Sequence, residues 1–431
     1  MKRLSLCVAV AAAVSLPLST NAELRRGGFL GLAVENQNGQ LAVKGMAEGG
    51  SAKDAGIQPG DVITKLDGKP VSGAGEFVAG ARALRAGDVA TIDVVRVGNP
   101  LQVRVPVKPR PYESAPGIDT AYGDVAVDGH LRRTLLSTPQ DKPGRLPGIL
   151  FVTGIGCFSQ EFIDPKDSVA QLVRGITRAG FATMRVEKTA QGDSQGPACN
   201  APESDLNAEV RGYLAGLRAL KSNPRVDPDR VFIVGLSIGG VEAPLIEREE
   251  KVRGVVAINT EAKPFIEYWI DTTRRQKTLA GKPADKVDAE MAVALGCANA
   301  LLIEKRTPQD ILARSPECKD EITFPAPYTF LQQWAALNPA ANWKRVDSPV
   351  LVVGGKSDYV AGFEESPYLV EMLNGFRPGR ATLAAIDGMD HWMSRAPSMR
   401  ASQERMEKPG AVAEFEPAVL QATVDWLKRH L

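Results

Sequence analysis

Hydrophobic residues follow two different rhythms along this chain. Up to about residue 108 they come as short runs broken by turn residues: 29–34 before Asn38-Gly39, then 41–43, and later 90–97 and 101–107. Ser51 offers an N-cap for a one-turn helix that Gly56 ends, Pro59-Gly60 turns into a strand, and Asp67-Gly68 closes a hairpin. Residues 75–84 read as a helix with Phe77, Ala81 and Leu84 on one face. Residues 109–118, opening with Pro109, Pro111 and Pro116, read as an extended linker. Beyond them the pattern changes. A hairpin about Asp128-Gly129 precedes continuous apolar β runs at 148–153, 182–186, 231–236, 254–259, 350–354 and 381–386. Helix-length segments such as 168–179 and 205–220 separate these runs. Strands apolar on both faces and alternating with helices predict a doubly wound, mostly parallel α/β sheet.

Length and charge narrow the picture. At 431 residues two domains are expected, and 52 basic against 51 acidic residues leave no nucleic-acid footprint. The amino terminus is asymmetric: Lys2-Arg3 precede an apolar run over 4–18, and Thr20 and Ala22 are small. This is the pattern of a secretory signal peptide cut after Ala22. The run is too short for a transmembrane anchor and no later stretch replaces it, so a periplasmic or secreted chain is expected. Cys7 is lost on cleavage. Cys157, Cys199, Cys297 and Cys318 remain, an even set without metal-ligand spacing, so disulfides are expected and a metal or other cofactor is not.

The most informative stretch is Gly235-Leu236-Ser237-Ile238-Gly239-Gly240, directly behind the apolar run Val231-Phe232-Ile233-Val234. Small residues two before and two after a serine, between strand and helix, form a nucleophile elbow. The reversal strains the serine backbone and leaves no room for a Cβ at the flanking positions. The Ile238 amide then stands free at a helix N-terminus to meet an oxyanion. A serine nucleophile needs a base, and the chain has three histidines. His130 precedes the parallel sheet and His430 is penultimate. His391 follows the last predicted strand, within Asp387-Gly388-Met389-Asp390-His391-Trp392. Asp358, after the strand 350–354, supplies the carboxylate that orients the imidazole. Asp387 and Asp390 are rivals better suited to stabilising their own turn.

The elbow, the strand order and the sequence Ser237, Asp358, His391 resemble an α/β-hydrolase over residues 119–431. The segment Ala55-Gly56-Ile57-Gln58-Pro59-Gly60-Asp61-Val62-Ile63 resembles a bacterial PDZ domain, a small β-rich (α+β) module, over residues 26–108. The second resemblance implies a peptide groove in which Phe29, Leu30, Gly31 and Leu32 hold a protein's C-terminal carboxylate. The first implies a second oxyanion amide from Thr153-Gly154-Ile155-Gly156-Cys157, with Ile155 the expected donor and Gly156 the alternative. Thr153 stands where the family often has histidine. The loop Arg185-Val186-Glu187-Lys188 through Gly196 resembles the one after the family's fourth strand. It emerges beside the oxyanion loop, so Cys157 and Cys199 are expected to pair, and Cys297 and Cys318 likewise inside a helical cap at about 261–345. The cap is rich in aromatics (Phe265, Tyr268, Trp269, Phe324, Tyr328, Phe330 and Trp334), most of them expected to form its own core.

Together these readings imply an exported serine hydrolase. It cleaves a small-molecule or peptide-like acyl bond, ester or amide, with a PDZ module for peptide binding or positioning. A non-catalytic PDZ adaptor on a hydrolase scaffold, and an acyltransferase using the same three residues, are the alternatives.

Overall fold

The computed structural model describes residues 24–408, 411 and 413–431; the signal peptide expected at 1–22 lies outside them. The amino-terminal part carries β1 (Leu32–Gln37), β2 (Gln40–Met46), α1 (Ser51–Asp54), β3 (Val62–Leu66), β4 (Lys69–Pro70), α2 (Ala74–Ala83), β5 (Val89–Arg96) and β6 (Asn99–Pro106). Its sheet runs β1-β2-β3-β5-β6, with β4 on β3, and its pairings are antiparallel. Asn38 and Gly39 both take positive φ, which lets a two-residue turn join β1 to β2. Leu41, Ile63, Phe77, Ile92 and Val105 form a small core of its own.

Two details differ from the sequence reading. The first strand begins at Leu32, leaving Phe29–Gly31 as a loop, because Gly31 turns at φ +70° against Gly50. Ser51 does not cap α1. Its hydroxyl donates to the Phe29 carbonyl and accepts from the Lys108 amide, so it ties the loop to the end of the module.

The larger part carries β7 (Ile118–Val127), β8 (His130–Pro139), β9 (Leu146–Val152), α3 (Ser168–Arg178), β10 (Ala182–Val186), α4 (Leu206–Ser222), β11 (Val226–Leu236), α5 (Ile238–Glu249) and β12 (Gly254–Ile258). Helices α6 (Phe265–Leu279), α7 (Ala284–Ala298), α8 (Pro308–Arg314), α9 (Tyr328–Ala335) and α10 (Pro339–Lys344) follow. The chain then returns through β13 (Val350–Gly355), α11 (Glu365–Phe376), β14 (Ala381–Ile386), α12 (Met399–Met406) and α13 (Pro417–Arg429). The eight strands run β14-β13-β12-β11-β9-β10-β8-β7, parallel from β14 to β10 and antiparallel at β8 and β7. Successive residues of β11 feed opposite cores: Ile233 packs on one face and Phe232 and Val234 on the other. Both faces are covered, which explains runs that are apolar at every position.

The segment between the two parts is extended but pinned. Glu113 accepts from Arg185 and from the Phe162 amide, and Arg110 donates its amide to the Gly27 carbonyl. A buried ion network joins the parts: Asp193 accepts from Arg26 at 2.9 Å, from the Gly27 amide at 2.7 Å and from Arg133 at 3.1 Å. Burial would raise the Asp193 carboxyl, yet the facing guanidiniums hold it below the usual range.

Candidate active site

The carboxyl ends of β9, β10, β11, β12 and β13 converge where the sheet turns over to its helices. Ser237 sits between β11 and α5 with φ 55° and ψ −126°, a backbone that side chains other than glycine rarely adopt. Its neighbours explain how the turn closes. A Cβ on Gly235 would stand 2.3 Å from the Gly239 carbonyl oxygen, and one on Gly239 would stand 2.3 Å from that of Val152. The glycines two before and two after the serine are therefore steric requirements of this turn.

The structure brings Ser237, His391 and Asp358 into one line. His391 Nε2 lies 3.1 Å from Ser237 Oγ, and its Nδ1 lies 2.9 Å from Asp358 Oδ2. Asp358 is 1% exposed, and its other oxygen accepts from the Val360 and Ala361 amides, so the carboxylate cannot swing away. Burial would lower the imidazole pKa, but the charge and bond of Asp358 outweigh it and hold His391 above its ordinary 6.5. The rivals lie elsewhere. Asp390 accepts from the Trp392 and Ser394 amides of its own loop, and Asp387 faces Lys356. His430 stacks on Trp426 at the far end of α13, and His130 is exposed at the start of β8.

Across the cavity lies the loop after β9. Ile155 and Ile238 amides find no backbone acceptor among the described residues. A Cβ on Gly154 would stand 3.7 Å from Ser237 Cβ, so the loop runs directly beside the serine. Cys157 and Cys199 are bonded, as are Cys297 and Cys318.

Several positioning residues went unread in the sequence. Asn259, at the end of β12 with φ 48°, donates to the carbonyls of Asp390 and His391 and accepts from the Gly355 amide. One asparagine thus ties the His391 loop to two strands. A polar residue closing an apolar strand was its only signal. Glu261 is fully buried near His391, and burial pushes its carboxyl up to about 8. Arg275 of the cap reaches the carbonyls of Tyr359, Val360 and Ala361 and anchors the cap to the Asp358 loop.

A cavity of about 770 Å³ opens over Ser237 and His391. Phe265, Tyr268, Trp269, Phe324 and Trp334 border it, while Tyr328 and Phe330 do not. Most of the cap aromatics therefore face the cavity rather than only a core. They do both at once: Phe265 stacks on Trp334 at 3.9 Å within the buried cluster of the cap and also borders the cavity. A second groove of about 920 Å³ is walled by residues 27–33 and Phe77, Val78 and Ala81 of α2. Its other wall is Cys157, Phe158, Ser159 and the loop 190–196, and Phe158 borders both cavities.

The chain matches the model of the alpha/beta hydrolase family over residues 149–401, more than half its length, and it belongs to that family. Residues 28–107 match the PDZ domain model. It is similar to esterase EstD of Thermotoga maritima, 24% identical over 266 residues, covering 62% of this chain and 59% of that protein. It is also similar to a probable periplasmic serine endoprotease DegP-like of Pseudomonas fulva, 30% identical over 131 residues, covering 28% of this chain and 26% of that one. The chain thus spans about three-fifths of the first relative and about a quarter of the second. Among solved structures, Est1E of Butyrivibrio proteoclasticus with ferulic acid aligns over 71% of this chain and 98% of its own, at 16% identity and a TM-score of 0.47.

Proposed function

We propose that this protein is an exported serine hydrolase that cleaves an acyl bond through Ser237, His391 and Asp358. The observation that carries the reading is the pair of contacts at 3.1 and 2.9 Å running from a strained serine through an imidazole to a buried carboxylate. Ser237 Oγ attacks the acyl carbon and its proton passes to His391 Nε2, while Asp358 steadies the imidazolium. The Ile155 and Ile238 amides meet the oxyanion. Collapse of the tetrahedral adduct breaks the acyl–leaving-group bond, and His391 returns the proton to the departing group. Water, deprotonated by His391, then attacks the acyl-serine and releases the acid. The aromatic cavity favours ester substrates with an apolar or aromatic acyl group.

The PDZ module is read as a holder of peptide C-termini at Phe29, Leu30, Gly31 and Leu32. Support comes from β1, an edge strand open to β-augmentation, and from the Leu30 and Gly31 amides, which have no backbone acceptor among the described residues. Export rests on the signal-like amino terminus and on the DegP-like relative being named periplasmic. No helix among the described residues is long and apolar enough to cross a membrane.

The test is a panel of p-nitrophenyl esters, thioesters and aminoacyl anilides. Ester turnover by the full chain and its loss in Ser237→Ala are expected. Equal ester turnover by Ser237→Ala would contradict the reading, and no turnover by wild type would favour the adaptor alternative. Transfer to an added alcohol at the expense of hydrolysis would favour the acyltransferase.

A further inference from the structure

Residues Glu187 and Lys188 directly follow β10 and take no part in the chemistry above, yet both are buried beside it. The Lys188 side chain is 3% exposed. Its Nζ donates to the Gly154 carbonyl at 2.8 Å and pairs with Glu209 at 2.7 Å. A lysine withdrawn from water requires compensation, and Glu209 supplies the charge. The second bond goes to one particular peptide, the one whose opposite end is the Ile155 N–H.

No cis peptide bond occurs among the described residues, so this carbonyl and this N–H point in opposite directions. An ammonium that grips the Gly154 oxygen therefore fixes the plane in which the Ile155 N–H points. It also draws charge toward the carbonyl oxygen and strengthens the N–H as a donor. The grip matters because Gly154 has no Cβ to narrow its choice of backbone conformation. Gly154, Ile155 and Ser237 border the same cavity. The neighbouring side chain holds the far end of the loop, where Glu187 accepts from the Ser159 hydroxyl and from the Gln160 amide at 2.9 Å.

We propose that Lys188 is a positioning residue of the oxyanion hole, acting on the Ile155 N–H through the Gly154 carbonyl. The proposal rests on the reading of Ser237 as nucleophile and Ile155 as oxyanion donor. Loss of a whole oxyanion donor costs about 10²–10³ in kcat. Losing its support is expected to cost less.

The experiment compares the full chain with Lys188→Met, Lys188→Arg and Glu209→Gln in hydrolysis of p-nitrophenyl butyrate, with thermal unfolding of each. Lys188→Met is expected to lose roughly 10–100-fold in kcat while KM stays within about twofold, the signature of an interaction made in the transition state. Its affinity for an aryl trifluoromethyl ketone, whose serine adduct carries the oxyanion, falls in parallel. Lys188→Arg recovers part of the loss. Glu209→Gln lowers the unfolding temperature but keeps kcat within about threefold. If Lys188→Met is insoluble, the double variant Lys188→Gln with Glu209→Gln removes the ion pair as a unit and is expected to show the same fall in kcat. Wild-type kcat in folded Lys188→Met, or in the folded double variant, would overturn the proposal, as would an equal loss in Glu209→Gln. Either result leaves Ser237 hydrolysis intact and is distinct from an inert wild type, which would overturn the nucleophile and Lys188 together.

Discussion

The two walls that face each other across Ser237 are held by opposite means. On one wall the elbow is a local object: six consecutive residues, two of whose glycines would drive a Cβ to 2.3 Å from a backbone oxygen, define the turn and aim the serine. The other wall, residues 153–160, has little structure of its own. It is held by Glu187 and Lys188, which directly follow β10, by Cys199 further along the same connection, and by its run beside the elbow. A turn set by backbone sterics depends on few side chains around it. A loop set by borrowed contacts is rigid only while each distant partner stays in place, which makes it the place where substitutions far from the serine reach the chemistry.

This contrast can be broken from either side. The largest effect is expected from the paired change Cys157→Ser with Cys199→Ser. It opens a loop spanning 42 residues and costs about 3–4 kcal/mol in the chain-entropy model. Thermal unfolding measures the loss, and hydrogen exchange is expected to rise in 153–160 while the elbow stays protected. Gly235→Ala is next, at about 3 kcal/mol from overpacking and strain; its Cβ would strike Gly239 and Gly240, so here the elbow rather than the loop loosens. A milder change tests the ionisable support. Burial pushes the Glu187 carboxyl up to about 7, so the folded state holds its proton more tightly than the unfolded chain does. The stability this contributes is complete at about pH 4 and is lost as pH rises through 7. In Glu187→Gln the dependence of the unfolding free energy on pH should flatten across that window, by up to roughly 3 kcal/mol. A steeper dependence than wild type would contradict it. The smallest effect concerns the base. With His391 held above 6.5, the acid limb of kcat/KM should fall above that pH, and Asp358→Asn should move it down; an unmoved limb would break the assignment of Asp358.

The same contrast explains what could be read from the chain. The elbow was legible because its form, small residues two before and two after a serine behind an apolar strand, is written within six residues, even though Gly239 is crowded by Val152 of the neighbouring strand. His391 was legible because only three histidines exist and one alone follows the last parallel strand. The parallel sheet was legible because β11 and its neighbours are apolar on both faces. The grip of Lys188 on Gly154 spans 34 positions and leaves no periodic trace, so neither residue marks the other. Asn259 and Arg275 were hidden for the same reason, and a polar side chain at a strand end or on a helix reads as solvated until its partner is placed. Ser51 had an ordinary capping reading that the fold overrode by bringing Lys108 to its hydroxyl. The cap aromatics carry no code for which faces they leave open, since a ring that stacks on one neighbour and borders a cavity has the same sequence as one fully enclosed.

The central claim is that Ser237 is the nucleophile, and mass spectrometry of the full chain after reaction with an alkyl fluorophosphonate tests it most directly. A single adduct on the peptide containing Ser237 is expected, absent from Ser237→Ala and formed much more slowly by Asp358→Asn, whose imidazole is no longer held in the required tautomer. No adduct on the wild-type chain, or an equal adduct on Ser237→Ala, would contradict it.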